Sequence, residues 1–343
     1  MSRPLRVLVT AIGGDLGQTL VKALRLSSGP VECFGCDQSE TGVGALFVES
    51  FHSVPAALES DYVPTLERLC RSLGIDAVIP ASEAEIDRLS RLQAPGHLSS
   101  GVPVVCQPAG WVKIYGDKLE CMKALSGKVE LAPFADGLNR KVVQSVVKET
   151  GFPLVVKERH SWGSRSLRVA RNQRALDLFL EEAKEPLIQA FMDDSEGEYS
   201  VGVFSQGGGH RLITFRRKLG YGGTSLFAET VDEPEVKNYA LKIAQVVAAS
   251  GSFNIQVRKT RKGVRLLEIN PRFSSLAAAR TLCGFRDVEW SLDLVLGRAV
   301  QAPPPSYRKI RFSRFLGELV DAGQGYEALP EWGPRSSAGK QKE

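Results

Sequence analysis

The sequence lacks the features that would place it in a membrane, outside the cell or on a nucleic acid. Among its 343 residues, no apolar run approaches the roughly 20 residues that a helix needs to cross a bilayer. The net charge of +5 is mild and is not concentrated on a basic face. The first residues pass directly into a strand pattern, without a signal-peptide core. We therefore expect a cytoplasmic protein with no membrane or nucleic-acid partner.

Cysteine and histidine are too sparse and too scattered to suggest a catalytic or metal site. The 6 cysteines include one C-x-x-C, Cys33 to Cys36, but this motif lies inside a predicted strand and has no second pair at zinc spacing. The 4 histidines lie far apart. No Ser/His/Asp or Cys/His set is evident. We expect reduced thiols, with metal or redox roles at the C-x-x-C disfavoured.

What the sequence contains is an ordinary globular composition, 43% hydrophobic and 24% charged, and a length that allows two or three domains. Over residues 1–108, apolar runs alternate with helical patterns and short glycine-rich connections. This alternation is typical of a parallel, doubly wound sheet. The predicted strands cover residues 5–10, 31–37, 77–80 and 102–106, and the predicted helices reach to about residue 26 and cover 61–73 and 83–92.

A glycine-rich loop after the first strand invites a dinucleotide-binding hypothesis. Gly13, Gly14 and Gly17 open a helix, and Asp37 follows at a suitable distance. However, the spacing is G-G-x-x-G. The loop also resembles that of short-chain dehydrogenases, but Ala11 replaces their first glycine and the sequence has no Tyr-x-x-x-Lys pair. A nicotinamide site is therefore disfavoured, while a turn that offers backbone N–H groups to an anionic ligand stays open.

The rest of the chain divides into two α+β units, residues 109–183 and 184–300, and a C-terminal extension, residues 301–343. The extension ends in a polar stretch, 334–343, that is predicted to be disordered. The predicted helices cover residues 118–125, 141–150, 172–182, 233–249 and 287–296. The predicted strands cover residues 152–158, 166–170, 186–191, 198–204, 211–217 and a hairpin within 251–273.

The hairpin over residues 251–273 is the most informative stretch of the sequence. On its first strand, Phe253, Ile255 and Val257 are predicted to share one face, and Asn254, Gln256 and Arg258 the other. On its second strand, Leu266, Glu268 and Asn270 are predicted to share a face. Carboxylate and carboxamide oxygens suit Mg²⁺ beside a nucleotide triphosphate, and Arg272 follows in position to meet a phosphate. The alternative is an edge hairpin whose polar residues face water.

Four features occur in a fixed order along the chain: Lys118 at a helix start, Lys157 at a strand end, Glu198 at a strand start, and the polar face of the hairpin. Together with Phe152-Pro-Leu-Val-Val-Lys157 and Leu267-Glu-Ile-Asn-Pro-Arg272, they resemble the ATP-grasp superfamily. The similarity is to the branch that contains the carbamoyl-phosphate synthetase large subunit and many carboxylate–amine ligases. The resemblance implies an N-terminal, Rossmann-like pre-ATP-grasp domain (1–108) followed by a two-lobed ATP-grasp domain, with a small lobe (109–183) and a large lobe (184–300).

The resemblance also implies a role for each matching position. Lys118 and Lys157 would contact the nucleotide phosphates, and Arg272 would hold the transferred phosphoryl group, so Lys157 and Arg272 are the predicted catalytic residues. Further nucleotide contacts are implied at a phosphate-covering lid, an adenine-reading strand, a ribose-binding glutamate and a basic strand end: Ser161, Gly163, Ser164, Gln189, Ala190, Phe191, Glu198 and Lys218. Mg²⁺ (or Mn²⁺) would be bound by Gln256, Glu268 and Asn270. Substrate contacts are expected at Gly13, Gly14, Glu83, Arg216 and Ser274.

The activity that the resemblance implies is an ATP-dependent ligase. Such an enzyme phosphorylates a carboxylate to an acyl phosphate, which an amine then attacks, and ADP and phosphate are released. Positioning and charge neutralisation by Mg²⁺, lysine and arginine suffice for this chemistry. Two alternatives stay open: a carbamoyl-phosphate-synthetase-type kinase acting on bicarbonate or carbamate, and a non-catalytic nucleotide-binding module. The expected partners are small-molecule carboxylates and amines, and a homodimer is left open.

Overall fold

The computed structural model describes residues 3–93, 96–160, 167–301, 307–315, 319–321 and 326–328. Within these residues the strands form a four-stranded sheet, a second four-stranded sheet, a six-stranded sheet and a two-stranded one. The strands are β1 (Leu5–Val9), β2 (Val31–Asp37), β3 (Phe51–Ser53), β4 (Ala77–Ile79), β5 (Phe134–Asp136), β6 (Leu154–Glu158), β7 (Arg168–Ala170), β8 (Pro186–Ala190), β9 (Glu198–Gln206), β10 (Gly209–Leu219), β11 (Ser225–Thr230), β12 (Gly251–Thr260), β13 (Gly263–Asn270), β14 (Arg311–Ser313), β15 (Leu319–Asp321) and β16 (Tyr326–Ala328). The helices are α1 (Asp15–Arg25), α2 (Tyr62–Leu73), α3 (Glu83–Ser90), α4 (Ala109–Tyr115), α5 (Lys118–Leu125), α6 (Arg140–Thr150), α7 (Gln173–Glu182), α8 (Pro234–Val247), α9 (Ala277–Leu282) and α10 (Asp287–Val295).

The first sheet is parallel, as the sequence predicts, and its strand order is β3-β2-β1-β4. Its strands are apolar on both faces, because helices cover both. One face packs against α1, and the other against α2 and α3. Cys33 lies in the first of these cores and Cys36 in the second, so the two thiols point to opposite sides of β2. The C-x-x-C is therefore part of the packing and does not form a pair.

The first core is completed from far along the chain. Ala277 of α9, together with Val288 and Leu292 of α10, packs into the same cluster as Val7 and Val9 of β1. These helices follow the β12–β13 hairpin directly, so they carry the end of the hairpin against the parallel sheet. The parallel sheet and the six-stranded sheet are thereby joined beside the polar face of the hairpin.

The two other large sheets are antiparallel. The smaller one has the order β5-β8-β6-β7 and packs against α6 and α7. The larger one has the order β13-β12-β9-β10-β11-β14, and α5 and α8 cover one of its faces. The predicted hairpin around the Gly207–Gly208 turn is confirmed as β9–β10, and the hairpin over 251–270 as β12–β13.

The sequence misplaces one strand and misses several short elements. Residues 102–106, which are predicted to form a strand, lie beside β4 but make only two isolated bridges, Val104 to Val78 and Pro103 to His97. Pro103 has no N–H to donate, which weakens a ladder at this position. The elements that the sequence does not predict include α4, β5, β11 and α9, which are short or lack a clear hydrophobic period.

No helix in the described part of the chain is both long enough and apolar enough to cross a membrane. The predicted disordered stretch, 334–343, lies outside the described residues.

Candidate functional site

A cavity of about 620 Å³ lies where the parallel sheet and the two antiparallel sheets meet. Its walls come from the loops after β1 and β4, from the inner faces of β6 and β8, and from the polar face of β9, β10, β12 and β13. Most of the predicted site residues converge here although they are widely separated in sequence. Those that line the cavity are Gly14, Glu83, Lys118, Lys157, Gln189, Phe191, Glu198, Gln256, Glu268, Arg272 and Ser274.

Lys118 reaches the cavity from the first turn of α5. Asp117 caps this helix, because its side chain accepts hydrogen bonds from the backbone N–H groups of Leu119 (2.9 Å) and Glu120 (3.3 Å). Asp117 also forms an ion pair with Arg159, which follows β6. The cap and the ion pair hold the helix start next to the end of β6, and Lys118 is only 9% exposed.

Lys157 is buried at the end of β6, 7% exposed, on the face opposite Leu154 and Val156. Its Nζ donates to the Oε1 of Gln189 and to the carbonyl of Leu267, both at 3.0 Å. Burial lowers the pKa of the Lys157 ammonium to about 8, against the opposing influence of Glu268. Gln189 also donates to the Leu266 carbonyl at 3.3 Å, so its side-chain amide is engaged within the protein.

The polar face of the hairpin differs from the prediction at one residue. Gln256 pairs with Glu268, but the next pair is Val257 with Leu266, so Leu267 is an extra residue in a β-bulge. Leu266 is consequently buried in the core beside Val257, and the prediction that Leu266 shares a face with Glu268 and Asn270 is wrong. The bulge turns Leu267 toward the cavity, where its carbonyl meets Lys157.

Glu268 is a carboxylate that faces two lysines. Its Oε2 lies 3.7 Å from the Nζ of Lys118, and its Oε1 accepts a 3.2 Å hydrogen bond from the Nδ2 of Asn270. Burial on its own would raise the pKa of Glu268, but Lys118 and Lys157 outweigh it and hold that pKa below its ordinary value. The side chain, 25% exposed, therefore presents a negative charge to the cavity.

The oxygens of Glu268 and Asn270 fit a hard divalent cation, which prefers carboxylate and amide ligands. Asn270 is 5% exposed and lies directly behind Glu268. No group of three His, Cys, Asp or Glu side chains that could hold a metal ion occurs in the described part of the chain. A cation here would therefore be bound by one carboxylate and by amide oxygens.

Glu198 is held between two arginines on the floor of the cavity. Its Oε1 accepts from the Nε (3.0 Å) and Nη2 (2.7 Å) of Arg217, and its Oε2 accepts from Arg258. Arg217 also donates to the Oε1 of Gln256. Both arginines line the cavity. The resemblance offers Arg217, with Arg216 and Lys218, as a candidate contact of the acceptor carboxylate or the phosphates, but it assigns no site role to Arg258.

One signal in the sequence could have predicted that Arg217 is the partner of Glu198. A tight turn at Gly207–Gly208 pairs Gln206 with Gly209, and this register places Arg217 directly opposite Glu198. The pairing of Arg258 with Glu198 has no such signal, because β12 and β9 are joined by a long connection.

Arg272 reaches the cavity from the end of β13 and meets the N-terminus of α3. Its Nε and Nη2 donate to the Oε1 of Glu83 at 3.0 and 2.8 Å. Glu83 is in the first turn of α3, where Ser82 caps the helix and Glu85 completes the capping box. The Glu85 carboxylate also accepts hydrogen bonds from the buried hydroxyls of Thr10 (2.7 Å) and Tyr62 (3.1 Å), which anchors this turn. An ion pair thus joins two segments that are 189 residues apart.

The glycine loop after β1 closes on itself. The Gly13 N–H donates to the Oδ2 of Asp37 at 2.9 Å, so the aspartate whose spacing suggested a dinucleotide site stabilises the glycine loop. Gly17 must lack a side chain, because a Cβ there would lie 2.6 Å from the Ala11 carbonyl oxygen. Ala11 adopts a φ of 47°, in the left-handed region that favours glycine.

Several predicted site residues do not line the cavity. Arg216 and Lys218 are exposed and flank Arg217, so alternation along β10 turns them to the other face of the sheet. Their predicted contacts with ligand find no support in this geometry. The others that do not line the cavity within the described residues are Gly13, Ala190 and Asn270. The predicted lid residues Ser161, Gly163 and Ser164 lie outside the described residues.

Comparison with known proteins gives matches in sequence and in structure. The model of the family described as "ATP-grasp in the biosynthetic pathway with Ter operon" matches residues 182–316. The carbamoyl phosphate synthase large chain, C-terminal section, of Aquifex aeolicus is 25% identical over 249 aligned positions. The resemblance to the ATP-grasp superfamily that the sequence predicts is confirmed by these matches. The chain covers 46% of the Aquifex relative, and that alignment covers 64% of this chain.

A second relative of this chain is the arginine-specific carbamoyl phosphate synthase large chain of Halalkalibacterium halodurans. It is 23% identical over 296 aligned positions, which cover 76% of this chain and 28% of that protein. The chain thus spans less than half of each of these relatives.

Solved structures share the fold. The biotin carboxylase domain of the Hydrogenobacter thermophilus 2-oxoglutarate carboxylase, in complex with MgADP, ADP and bicarbonate, superposes with a TM-score of 0.72. It is 14% identical, and the match covers 90% of this chain and 73% of that one. The N5-carboxyaminoimidazole synthetase of Staphylococcus aureus, complexed with ADP, has a TM-score of 0.71 and 13% identity, covering 92% of this chain and 83% of that one. At these identities the match is evidence for the fold.

Proposed function

We propose that this ATP-grasp chain is an ATP- and Mg²⁺-dependent ligase that activates a carboxylate as an acyl phosphate and joins it to an amine. The observation that carries the proposal is the convergence of Lys118, Lys157, Glu268 and Arg272 in one cavity. Three of these groups are cations, and the fourth is a carboxylate kept ionised by two of them. These groups suit phosphoryl transfer, because enzymes catalyse this reaction mainly by positioning the reactants and neutralising charge.

Each step has residues suited to it. Lys118 and Lys157 bind the nucleotide phosphates, and Glu268 with Asn270 holds Mg²⁺, which neutralises phosphate charge when bound. A carboxylate oxygen attacks the γ-phosphorus and ADP leaves, with Arg272 against the transferred group. The amine then attacks the acyl carbon, a C–N bond forms, the C–O bond to phosphate breaks, and the amine proton is lost to solvent.

The rest of the chain has a proposed role in the same reaction. Residues 1–108 form a Rossmann-like pre-ATP-grasp domain, with lobes 109–183 and 184–300 and the extension after 300. The acceptor enters on the side of the cavity where Gly14, Glu83 and Ser274 lie. The sequence leaves a homodimer open, and we propose this assembly because the Hydrogenobacter biotin carboxylase domain is a dimer.

A second candidate function is the phosphorylation of bicarbonate or carbamate. The two relatives are carbamoyl phosphate synthases, and the Hydrogenobacter domain binds bicarbonate, which favours this candidate. A small cavity end would suffice for bicarbonate, whereas about 620 Å³ also accommodates a nucleotide with a larger acceptor.

One isotope experiment tests both candidates. Purified chain receives MgATP with a panel of ¹⁸O-labelled carboxylates or ¹⁸O-bicarbonate, with and without amines, and the released phosphate is analysed by mass. We expect ADP and phosphate carrying one ¹⁸O atom from the acid, because the acyl phosphate transfers that oxygen. A label that appears only with bicarbonate selects the second candidate. AMP in place of ADP would sink the acyl-phosphate route, and ATP binding without turnover across the panel would favour a non-catalytic module.

A further inference from the structure

Two amide side chains on the cavity side of β12 already have their oxygens occupied by arginines. The Oδ1 of Asn254 accepts from Arg280 and, at 2.9 Å, from the hydroxyl of Ser200. The Oε1 of Gln256 accepts from the Nη2 of Arg217. The Asn254 oxygen thus has both of its acceptor positions filled, and the Gln256 oxygen, which the sequence predicts as a metal ligand, has a guanidinium in contact with it whose positive charge opposes a cation at the same atom.

The facing strand, β13, is different. The Oε2 of Glu268 has the Lys118 ammonium at 3.7 Å, beyond hydrogen-bonding distance. Asn270 uses its Nδ2 to donate to Glu268, and no donor from the described residues reaches its Oδ1. Among the described residues, the side-chain oxygens of these two strands that face the cation site without an arginine in contact are thus those of Glu268 and Asn270 on β13.

The Arg217 side chain is held in position by hydrogen bonds and by burial. Its guanidinium makes two bonds to Glu198, and its side chain is 6% exposed. The pairing of β9 with β10 sets Arg217 opposite Glu198, so the contact forms with the sheet itself. A guanidinium keeps its charge at all ordinary pH values. The Arg217 guanidinium therefore places a permanent positive charge on the Gln256 side of the cavity that Glu268 also lines.

We propose that Arg217 takes the place of a second divalent cation in this site. On this proposal, which rests on the proposed function, the nucleotide phosphates meet one metal ion on Glu268 and Asn270 and the Arg217 guanidinium on the Gln256 side. Sites for phosphoryl transfer commonly use two metal ions, or a metal ion with arginine or lysine, to neutralise the developing charge. The arginine also explains why a neutral glutamine suffices at position 256, because a carboxylate there would pair with Arg217.

The test is the number of metal ions bound per nucleotide. The full chain is dialysed to equilibrium against MnCl₂ and ADP, and bound Mn²⁺ and bound ADP are both measured, which corrects for any inactive fraction. We expect one Mn²⁺ per ADP. The double variant Arg217→Gln, Gln256→Glu removes the guanidinium and supplies a carboxylate, so we expect the ratio to rise to two. Gln256→Glu alone retains Arg217, and its ratio should remain at one.

The matched control is Arg216→Gln, on the neighbouring exposed position of β10, which should leave the ratio at one. Two Mn²⁺ per ADP in the unchanged chain, or in Gln256→Glu, would overturn the inference while leaving the proposed function intact. A ratio of one in a folded double variant would overturn it as well. Failure of the unchanged chain to bind either ADP or Mn²⁺ would remove the inference together with the proposed function.

Discussion

Two carboxylates on the cavity side of the six-stranded sheet, Glu198 and Glu268, each lie between two cations but are held in different ways. Glu198 accepts three N–H bonds from Arg217 and Arg258, which are its cross-strand neighbours on β10 and β12. Glu268 faces two lysines that come from outside the sheet, on α5 and β6. Within the described residues, its ion pair is with Lys118, at 3.7 Å.

The difference separates a carboxylate that stabilises the protein from one that is available to a ligand. A carboxylate has about four acceptor sites, and three N–H groups leave Glu198 at most one for a ribose hydroxyl. Arginine forks fix geometry, whereas lysine ammonium groups act as point charges on flexible stems. Glu268 keeps its charge through those point charges and still has an oxygen free of hydrogen bonds from the described residues.

The largest effect should come from removing Glu198. Glu198→Ala would leave two arginines, with side chains 6% and 22% exposed, without their counter-charge. Losing one partner of a buried ion pair costs about 3–5 kcal/mol of unfolding free energy. Urea unfolding followed by circular dichroism measures it. The matched control is Asp177→Ala, which breaks the exposed Arg140 pair (side chains 51% and 47% exposed) and should cost at most about 1 kcal/mol. Equal losses in the two variants would erase the distinction.

Glu268→Gln should have a large effect on turnover and a smaller effect on stability. The amide keeps the shape but removes the negative charge at the proposed metal site, so we expect ADP release to fall about 10²–10³-fold. Unfolding free energy should fall by less than in Glu198→Ala, because Lys157 can lose its proton when the negative charge beside it is removed. The control is Glu130→Gln, which affects an exposed ion pair with Lys242 and should leave turnover unchanged. Unaltered ADP release in Glu268→Gln would show that the metal assignment is wrong.

The sequence predicted much of this sheet because strand periodicity is local. Phe253, Ile255 and Val257 are buried in the core as alternation requires, and Gln256 does face Glu268. The prediction failed at Leu266 because an apolar residue fits either face, so nothing in the pattern marks the bulge at Leu267. A bulge is decided by how two strands pair, and that information is not contained in one strand.

The arginine partners of Glu198 show a second limit. The turn at Gly207–Gly208 would have placed Arg217 opposite Glu198 by counting back along the hairpin. Arg258 lies on β12, which pairs with β9 although β10, β11 and α8 separate the two strands in sequence. No local signal predicts the register of that pairing. Likewise, α9 and α10 complete the core of the parallel sheet only because the whole chain folds back. Pairings between distant segments were therefore the part of the site that the sequence did not predict.

A pH experiment distinguishes the lysine environment from the arginine one. Because burial lowers the pKa of Lys157 to about 8, the free protein loses this charge as the pH rises past that value. We expect the affinity for MgADP to fall roughly tenfold per pH unit above it, since only the ammonium attracts phosphate. Calorimetric titrations between about pH 7 and 9.5 measure this dependence. Lys157→Arg stays charged and should bind with a flatter profile, whereas a flat profile in the unchanged chain would contradict the prediction.

The same shift has the opposite sign for stability. Between pH 8 and the ordinary lysine pKa of about 10.4, the unfolded chain binds more protons at this position than the folded chain does. The contribution of Lys157 to unfolding free energy should therefore increase with pH in this window. Nucleotide affinity and the Lys157 contribution to stability are thus expected to change in opposite directions over this range.

The smallest effect should come from the ion pair of Arg272, which joins the end of β13 to the first residue of α3. Glu83→Gln removes a partly buried ion pair (side chains 18% and 27% exposed), so the stability loss should be about 1 kcal/mol or less. If Glu83 serves to aim Arg272, the variant should lower kcat about 3- to 10-fold with the KM for the acceptor unchanged. If Glu83 instead binds the acceptor, as the sequence suggested, the KM should rise. Asp87→Asn on the same helix, in an exposed pair with Arg91, is the control and should change neither constant. We expect the kcat effect, because the Nε and Nη2 of Arg272 already donate to the Oε1 of Glu83.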